Sequence, residues 1–162
     1  MELPPAPAAD LCWVGIDPGL SRCGIAVADP SGTLATPLCA VATEPRATLG
    51  ARVLEAVAPR SIRGMVLGLP LDQRGGEGPA ASFARELGAM LTEALGVEVR
   101  YSDERLSTRE AAGRVAEMQA ARRGRPGARW KRRTPPGQLD AVAACVILQG
   151  FLDHLAGNAA EK

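Results

Sequence analysis

Apolar residues recur in this chain with three distinct spacings. Leu11 to Ile16 is an unbroken apolar run ending in one acid, Asp17. Continuous runs of that length fit a strand buried on both faces. Cys23 to Ala28 is a second such run, and a third strand follows over about 33–42. The links between them are short: Pro18-Gly19 reverses the chain, and Asp29-Pro30-Ser31-Gly32 is a four-residue turn. Three strands joined by tight turns predict an antiparallel meander.

Helical spacing begins after residue 44. Leu49, Val53, Ala56 and Val57 share one face of a helix expected over 45–58, with Pro45 at its start. Ile62 to Leu67 is a fourth buried strand, followed by a glycine-rich loop over 73–79. Phe83, Leu87, Met90, Leu91 and Ala94 mark a helix over 79–95, with Pro79 at its first position. Gly96 stops it. Val97, Val99 and Tyr101 alternate with Glu98 and Arg100, the spacing of a fifth strand.

Ser107-Thr108-Arg109-Glu110 forms a capping box for a helix over 108–121. Leu139, Val142, Ala143, Val146, Ile147 and Gly150 then mark a last helix ending near residue 155. The order βββαβαβαα predicts one α/β domain over 11–155. Its five-stranded mixed sheet joins the antiparallel β1-β2-β3 meander to parallel β4 and β5, with helices on both faces. Residues 1–10 read as a disordered leader and 156–162 as a C-terminal tail.

Composition narrows the chemistry. The 162 residues are 46% hydrophobic but only 3% aromatic, so Ala, Val, Leu and Ile must fill the core. His154 is the sole histidine, which argues against histidine metal sites and a Ser-His-Asp triad. Cys12, Cys23, Cys39 and Cys145 lack C-x-x-C spacing and read as buried thiols of a reducing cytoplasm. No apolar run approaches membrane-spanning length, and the N-terminus lacks the basic segment of a signal peptide.

The net charge of +1 hides an asymmetry. Arg122, Arg123, Arg125, Arg129, Lys131, Arg132 and Arg133 fall within twelve residues without an acid, leaving a net −6 on the rest. A cationic arm on an acidic body suits a localised polyanion contact. Its Gly and Pro residues predict a mobile loop over 122–136, in which Trp130 could stack on an unpaired base.

Three acids stand where α/β sheets place their sites. Asp17 ends the first strand, Glu104 ends the fifth with Asp103 beside it, and Asp140 lies in the first turns of the last helix. A lone acid at the end of a buried strand needs a partner, whether a turn's N–H groups, a cation or a metal. Carboxylate oxygens suit Mg²⁺ or Mn²⁺, and such ions support phosphodiester hydrolysis.

Four segments carry a family resemblance. They are Gly15-Ile16-Asp17-x-Gly19-x-x-Arg22-x-Gly24-x-Ala26, Val66-Leu67-Gly68-Leu69-Pro70-Leu71 with Gly76-Glu77-Gly78-Pro79, Asp103-Glu104-Arg105-Leu106-Ser107-Thr108-x-Glu110-Ala111, and Asp140-Ala141-x-Ala143-Ala144-x-x-Ile147-Leu148-Gln149. In this order they resemble the YqgF-type pre-16S rRNA nucleases of the RuvC-like branch of the RNase H-like superfamily. These are also known as Holliday junction resolvases.

The resemblance implies an RNase H-like fold and a divalent-metal-dependent nuclease using Mg²⁺ or Mn²⁺. It assigns catalysis and metal binding to Asp17, Glu104 and Asp140. Asp103 is the second choice, since neighbours in a strand face opposite ways. RNA, including the 5′ end of pre-16S rRNA, is the implied substrate. Branched DNA, or RNA binding without cleavage, are the alternatives.

Arg22 and Arg105 are expected either to hold phosphate or to pair with a site acid, Asp17 or Asp103 in the case of Arg22. The chain is expected in the cytoplasm, away from membranes, as a monomer or weak homodimer. Two positions depart from the pattern. Pro18 is more typical of the RuvC branch. Ala143 stands where that branch carries a second helix acid, so this set has one carboxylate fewer.

Overall fold

The computed structural model describes residues 11–104, 109–123 and 137–160, without the side chains of Glu110, Arg122 and Arg123. The elements are β1 (Leu11–Pro18), β2 (Arg22–Ala28), β3 (Ala35–Ala42), α1 (Leu49–Val57), β4 (Ser61–Leu69), α2 (Pro79–Leu95), β5 (Glu98–Asp103), α3 (Arg109–Arg123) and α4 (Gln138–Ala160). The five strands form one mixed sheet in the order β3-β2-β1-β4-β5. β1 and β2, and β2 and β3, run antiparallel, while β4 lies parallel to both β1 and β5. This is the topology expected from the sequence.

Alternation along β1 divides the core into two layers. Cys12, Val14 and Ile16 face one side with Cys23, Ile25, Met65 and Leu67, where Leu49, Val53 and Val57 of α1 and Phe83, Leu87 and Leu91 of α2 cover them. Trp13, Ala26, Ala28 and Val66 face the other side, under Val115 of α3 and Ala144, Cys145, Ile147, Leu148 and Leu152 of α4. Aliphatic residues dominate both layers. On the α4 side Trp13 and Phe151 make an edge-to-face contact, with ring centroids 4.7 Å apart.

Several boundaries differ from the sequence expectation for identifiable reasons. β3 begins at Ala35, two residues late, because Asp29 holds the preceding turn. Its Oδ1 accepts the N–H groups of Thr33 at 2.8 Å and Leu34 at 2.9 Å. A 3₁₀ turn over Arg46–Thr48 precedes α1, so the α-helix starts four residues after Pro45. β4 continues through Gly68 and Leu69, which pair with Ser102 and Asp103 of β5. β5 ends at Asp103, so Glu104, expected to end the strand, is the first residue beyond it.

α3 includes Arg122 and Arg123, so the backbone of these two cations is helical rather than part of the expected loop. α4 runs five residues beyond the expected end near Leu155. It also corrects the expectation that no stretch approaches membrane-spanning length. An 18-residue stretch of this 23-residue helix has a mean hydropathy of 1.5, so the helix is long and apolar enough by composition. Its apolar face is spent on the second core layer: Ala144, Cys145 and Leu148 are fully buried against the sheet. All four cysteines are free thiols, as expected, with Cys12, Cys23 and Cys145 buried.

Leu148 is fully buried where α4 crosses β1, so Leu148→Ala should destabilise the fold by about 2–5 kcal/mol. Met90, 36% exposed on α2, serves as the control, and Met90→Ala should change stability by less than about 1 kcal/mol. Urea unfolding midpoints of the two variants check both.

Candidate active site

The sheet carries its acids to one rim. Asp17 sits near the end of central β1, half-buried, with Pro18 buried behind it. Glu104 follows the last residue of β5, two strands away. Asp140 is the third residue of α4, which crosses the sheet over β1, β2 and β3. These sources lie far apart in the chain, and glycines let them approach.

Gly24 pairs with Asp17 in the β1–β2 ladder. A Cβ added at Gly24 would lie 1.8 Å from the Asp140 carbonyl oxygen, so no side chain fits between β2 and the start of α4. A Cβ on Gly68 would lie 2.8 Å from Glu104 Oε1 and 2.7 Å from Ile147 Cδ1. The missing side chain on β4 is therefore the space that the Glu104 carboxyl occupies.

The resulting contacts are electrostatically tense. Burial is the largest influence on Asp17 and raises its pKa above the ordinary carboxylate value, and the nearby charge of Asp140 raises it further. Burial also raises Glu104, reinforced by the charges of Asp17 and Asp103. A hydrogen bond links the two side chains, raising Glu104 and lowering Asp17. That hydrogen bond favours the protonated form of Glu104 and the ionised form of Asp17.

Asp140 takes a different partner, with Arg22 Nε 3.2 Å from its Oδ2. The expectation for Arg22 is corrected on this point, since its acid is Asp140 rather than Asp17 or Asp103. The reason is the close seat of α4 on β2, which brings residue 140 beside the strand that begins at Arg22.

The three carboxyls do not form a closed ligand cage. Among the described residues, no group of three or more His, Cys, Asp and Glu could hold a metal ion as it stands. The donor set nevertheless fits a hard divalent cation. Two hydrogen-bonded carboxyls stand together where a cation could join them, and a third carboxylate is held close by a single exposed ion pair. Asp17, Glu104 and Asp140 would be the holders. Asp103, the second choice, ends β5 opposite Leu69 and acts on Glu104 by charge, whereas the hydrogen bond to Asp17 comes from Glu104.

The nucleic-acid residues expected from the sequence are less fully described. Arg22 stands at the site. Arg105, Arg125, Arg129, Trp130, Lys131, Arg132 and Arg133 lie outside the described residues, as do Ser107 and Thr108. In the loop after β4, Asp72 Oδ1 accepts the N–H groups of Arg74 at 2.8 Å and Gly76 at 2.7 Å, which makes it an ordered turn at the same sheet edge.

One contributor carries no mark in the sequence. Thr43, just past β3, is fully buried, and its Oγ1 donates to the Gly19 carbonyl in the turn after Asp17 at 2.7 Å. No spacing signal points to it.

A mixed sheet with acids at the ends of its first and last strands, met by an acid from a crossing helix, defines a RuvC-like member of the RNase H-like α/β class. Two solved structures share that fold: Thermus thermophilus RuvC in complex with a Holliday junction substrate, and RuvC of the same organism described by itself. Their TM-scores are both 0.57, at 21% and 22% identity, covering 90% of this chain and 96% or 97% of theirs.

The chain belongs to the RuvX family. The sequence model of that family, described as "RuvX: Holliday junction resolvase", matches residues 11–154. Among its relatives is a protein of Anaeromyxobacter sp. strain Fw109-5, 38% identical over 87% of this chain and 96% of its own length. Another, from Anaeromyxobacter dehalogenans strain 2CP-1, is 40% identical over 88% and 97%. Both relatives carry the name "Putative pre-16S rRNA nuclease".

The raised carboxyls have a stability consequence. A carboxyl whose folded pKa exceeds its unfolded value favours the fold below the ordinary carboxylate range. That contribution is lost as pH rises through the raised value. Without divalent metal, Asp17→Asn should therefore be more stable than the parent at neutral pH, and the advantage should shrink toward about pH 4. Urea unfolding in chelator across that range measures it.

Proposed function

We propose that this chain is a divalent-metal-dependent nuclease that hydrolyses phosphodiester bonds, with Mg²⁺ or Mn²⁺ held by Asp17, Glu104 and Asp140. The observation that carries the proposal is the shared hydrogen bond between Asp17 and Glu104, with the charge of Asp140 acting on Asp17. Half-buried acids whose charges act on one another are costly for a fold unless a cation uses them. A bound divalent ion would supply the Lewis acidity that activates water and stabilises the leaving oxygen.

The chain's own groups do the rest. With an ion bound, Glu104 would face it as a carboxylate beside Asp17 and Asp140. Arg22 keeps further guanidinium N–H groups beyond the Nε that meets Asp140, and its side chain is 47% exposed. Those groups suit a backbone phosphate next to the site. The cationic arm leads directly into α4 and Asp140, so phosphate contacts there would bring the strand to the acids. Ala143 leaves α4 with one carboxylate fewer than the RuvC pattern, which favours a site built around one tightly held ion.

RNA is the proposed substrate, in 5′-end processing of pre-16S rRNA and therefore in the cytoplasm. The relatives' names support that choice. A matched comparison of single-stranded RNA, single-stranded DNA and a four-way junction, each with and without Mn²⁺, tests it. Cleavage of the RNA is the expected result. Preference for the junction would make the chain a resolvase, and binding without cleavage would make it an assembly factor. Resolution of a junction would also require a dimer, because two strands must be cut.

The acids and the arm can be separated by mutation. Loss of a residue that merely orients a metal ligand costs about 10–100-fold, so Asp17→Asn and Glu104→Gln should each lower Mn²⁺-dependent cleavage by more than about 100-fold. Asp103→Asn should do far less, and initial rates on the same RNA rank the three. Neutralising Arg129, Lys131, Arg132 and Arg133 should flatten the log–log salt dependence of RNA binding by ~0.7 for each phosphate that is no longer neutralised. Fluorescence anisotropy over a salt series reads that slope.

A further inference from the structure

The turn that carries Asp17 into β2 is held from behind by Thr43 and Cys23. Gly19 closes that turn so tightly that an added Cβ would lie 2.2 Å from the Arg22 carbonyl oxygen. Thr43 binds the turn twice. Its hydroxyl donates to the Gly19 carbonyl at 2.7 Å, and its backbone N–H donates to the Ser21 carbonyl at 3.0 Å. Cys23 completes the hold: its sulfur lies 3.5 Å from Thr43 Oγ1 and hydrogen-bonds with the Gly19 backbone.

Thr43 is itself fixed by α1. Arg52 donates from Nη2 to the Thr43 carbonyl at 3.1 Å and the Pro45 carbonyl at 2.9 Å, and from Nε to the Ala42 carbonyl at 3.0 Å. Its Nη1 meets Thr48 Oγ1 at 2.7 Å. A chain of hydrogen bonds thus runs from Arg52 through Thr43 to Gly19, two residues from Asp17 and three from Arg22. A fully buried threonine hydroxyl that satisfies a turn carbonyl is a specific solution. Valine would fill the same volume and leave the carbonyl without that donor.

We propose that Thr43 is a positioning residue of the active site. Backed by Arg52, it sets the turn from which Asp17 meets Glu104 and Arg22 meets Asp140. The proposal rests on the nuclease reading given above. It predicts that the hydroxyl matters more to the rate than to the fold. Misplacing a reacting group by about 1 Å costs on the order of 100-fold in rate.

The test compares Thr43→Val and Thr43→Ser with the parent, using the full chain, Mn²⁺ and the single-stranded RNA described above. Thr43→Val should lower kcat by about 10–100-fold with KM nearly unchanged, and should raise the Mn²⁺ concentration that half-shifts the melting temperature. Thr43→Ser, which keeps the hydroxyl, should stay within about threefold of the parent in kcat. Amide hydrogen exchange over residues 19–23 should quicken in Thr43→Val and remain at the parent rate in Thr43→Ser.

Parental kcat in Thr43→Val, or equal losses in both variants, would overturn the proposal. If the parent neither cleaves RNA nor shifts its melting with Mn²⁺, the nuclease reading fails. Exchange over residues 19–23 then still decides whether Thr43 sets the turn, and a parental rate in Thr43→Val would refute that as well.

Discussion

The hydrogen bond between Asp17 and Glu104 is the contact on which the site depends, and it works against the fold that makes it. Two carboxyls whose ionised forms repel are held together in a half-buried position, within reach of a third acid. Nothing local in β1 or β5 favours that arrangement. It is imposed by the two apolar layers on either side of the sheet, which fix where β1, β5 and α4 end. The rim keeps its acids close because the core behind them leaves no alternative packing.

Small residues make this geometry available. Gly24 admits the Asp140 backbone against β2, and Gly68 admits the Glu104 carboxyl over β4. Gly15 extends the same seam, since an added Cβ there would lie 2.6 Å from Leu148 Cβ. α4 therefore rides directly on the backbone of β1 and β2 along its N-terminal half. A helix seated at ordinary side-chain distance would carry Asp140 away from Asp17. The alanine-rich face of α4, including Ala141 and Ala144, serves the same close contact.

Charge and hydrogen bonding around the acids are unequal in kind. The Arg22–Asp140 pair is half-exposed, so it contributes only about 0–1 kcal/mol to stability. Its value lies in orientation: it places a cation at the edge of the acid cluster. The network from Arg52 through Thr43 to Gly19 runs from exposed guanidinium contacts to the fully buried Thr43 hydroxyl, and it governs backbone rather than charge. Its hold on the turn rests on several hydrogen bonds at once, whereas the Arg22–Asp140 pair is a single contact.

The sequence determined the strand and helix order, because unbroken apolar runs, helical spacing and turn residues are local signals. Asp17, Glu104 and Asp140 could be picked out as candidate site acids for the same reason, each standing at a segment end and within a motif. Tertiary packing decided the rest. Gly68 lies within β4 only because Ser102 pairs with it, and Arg22 reaches Asp140 rather than Asp17 or Asp103 only because α4 sits against Gly24. Thr43 follows β3 with no local mark of its role, and α4 has the composition of a spanning helix until the sheet beneath it is seen. Local patterns are written residue by residue, while the distance between two side chains is set by everything packed between them.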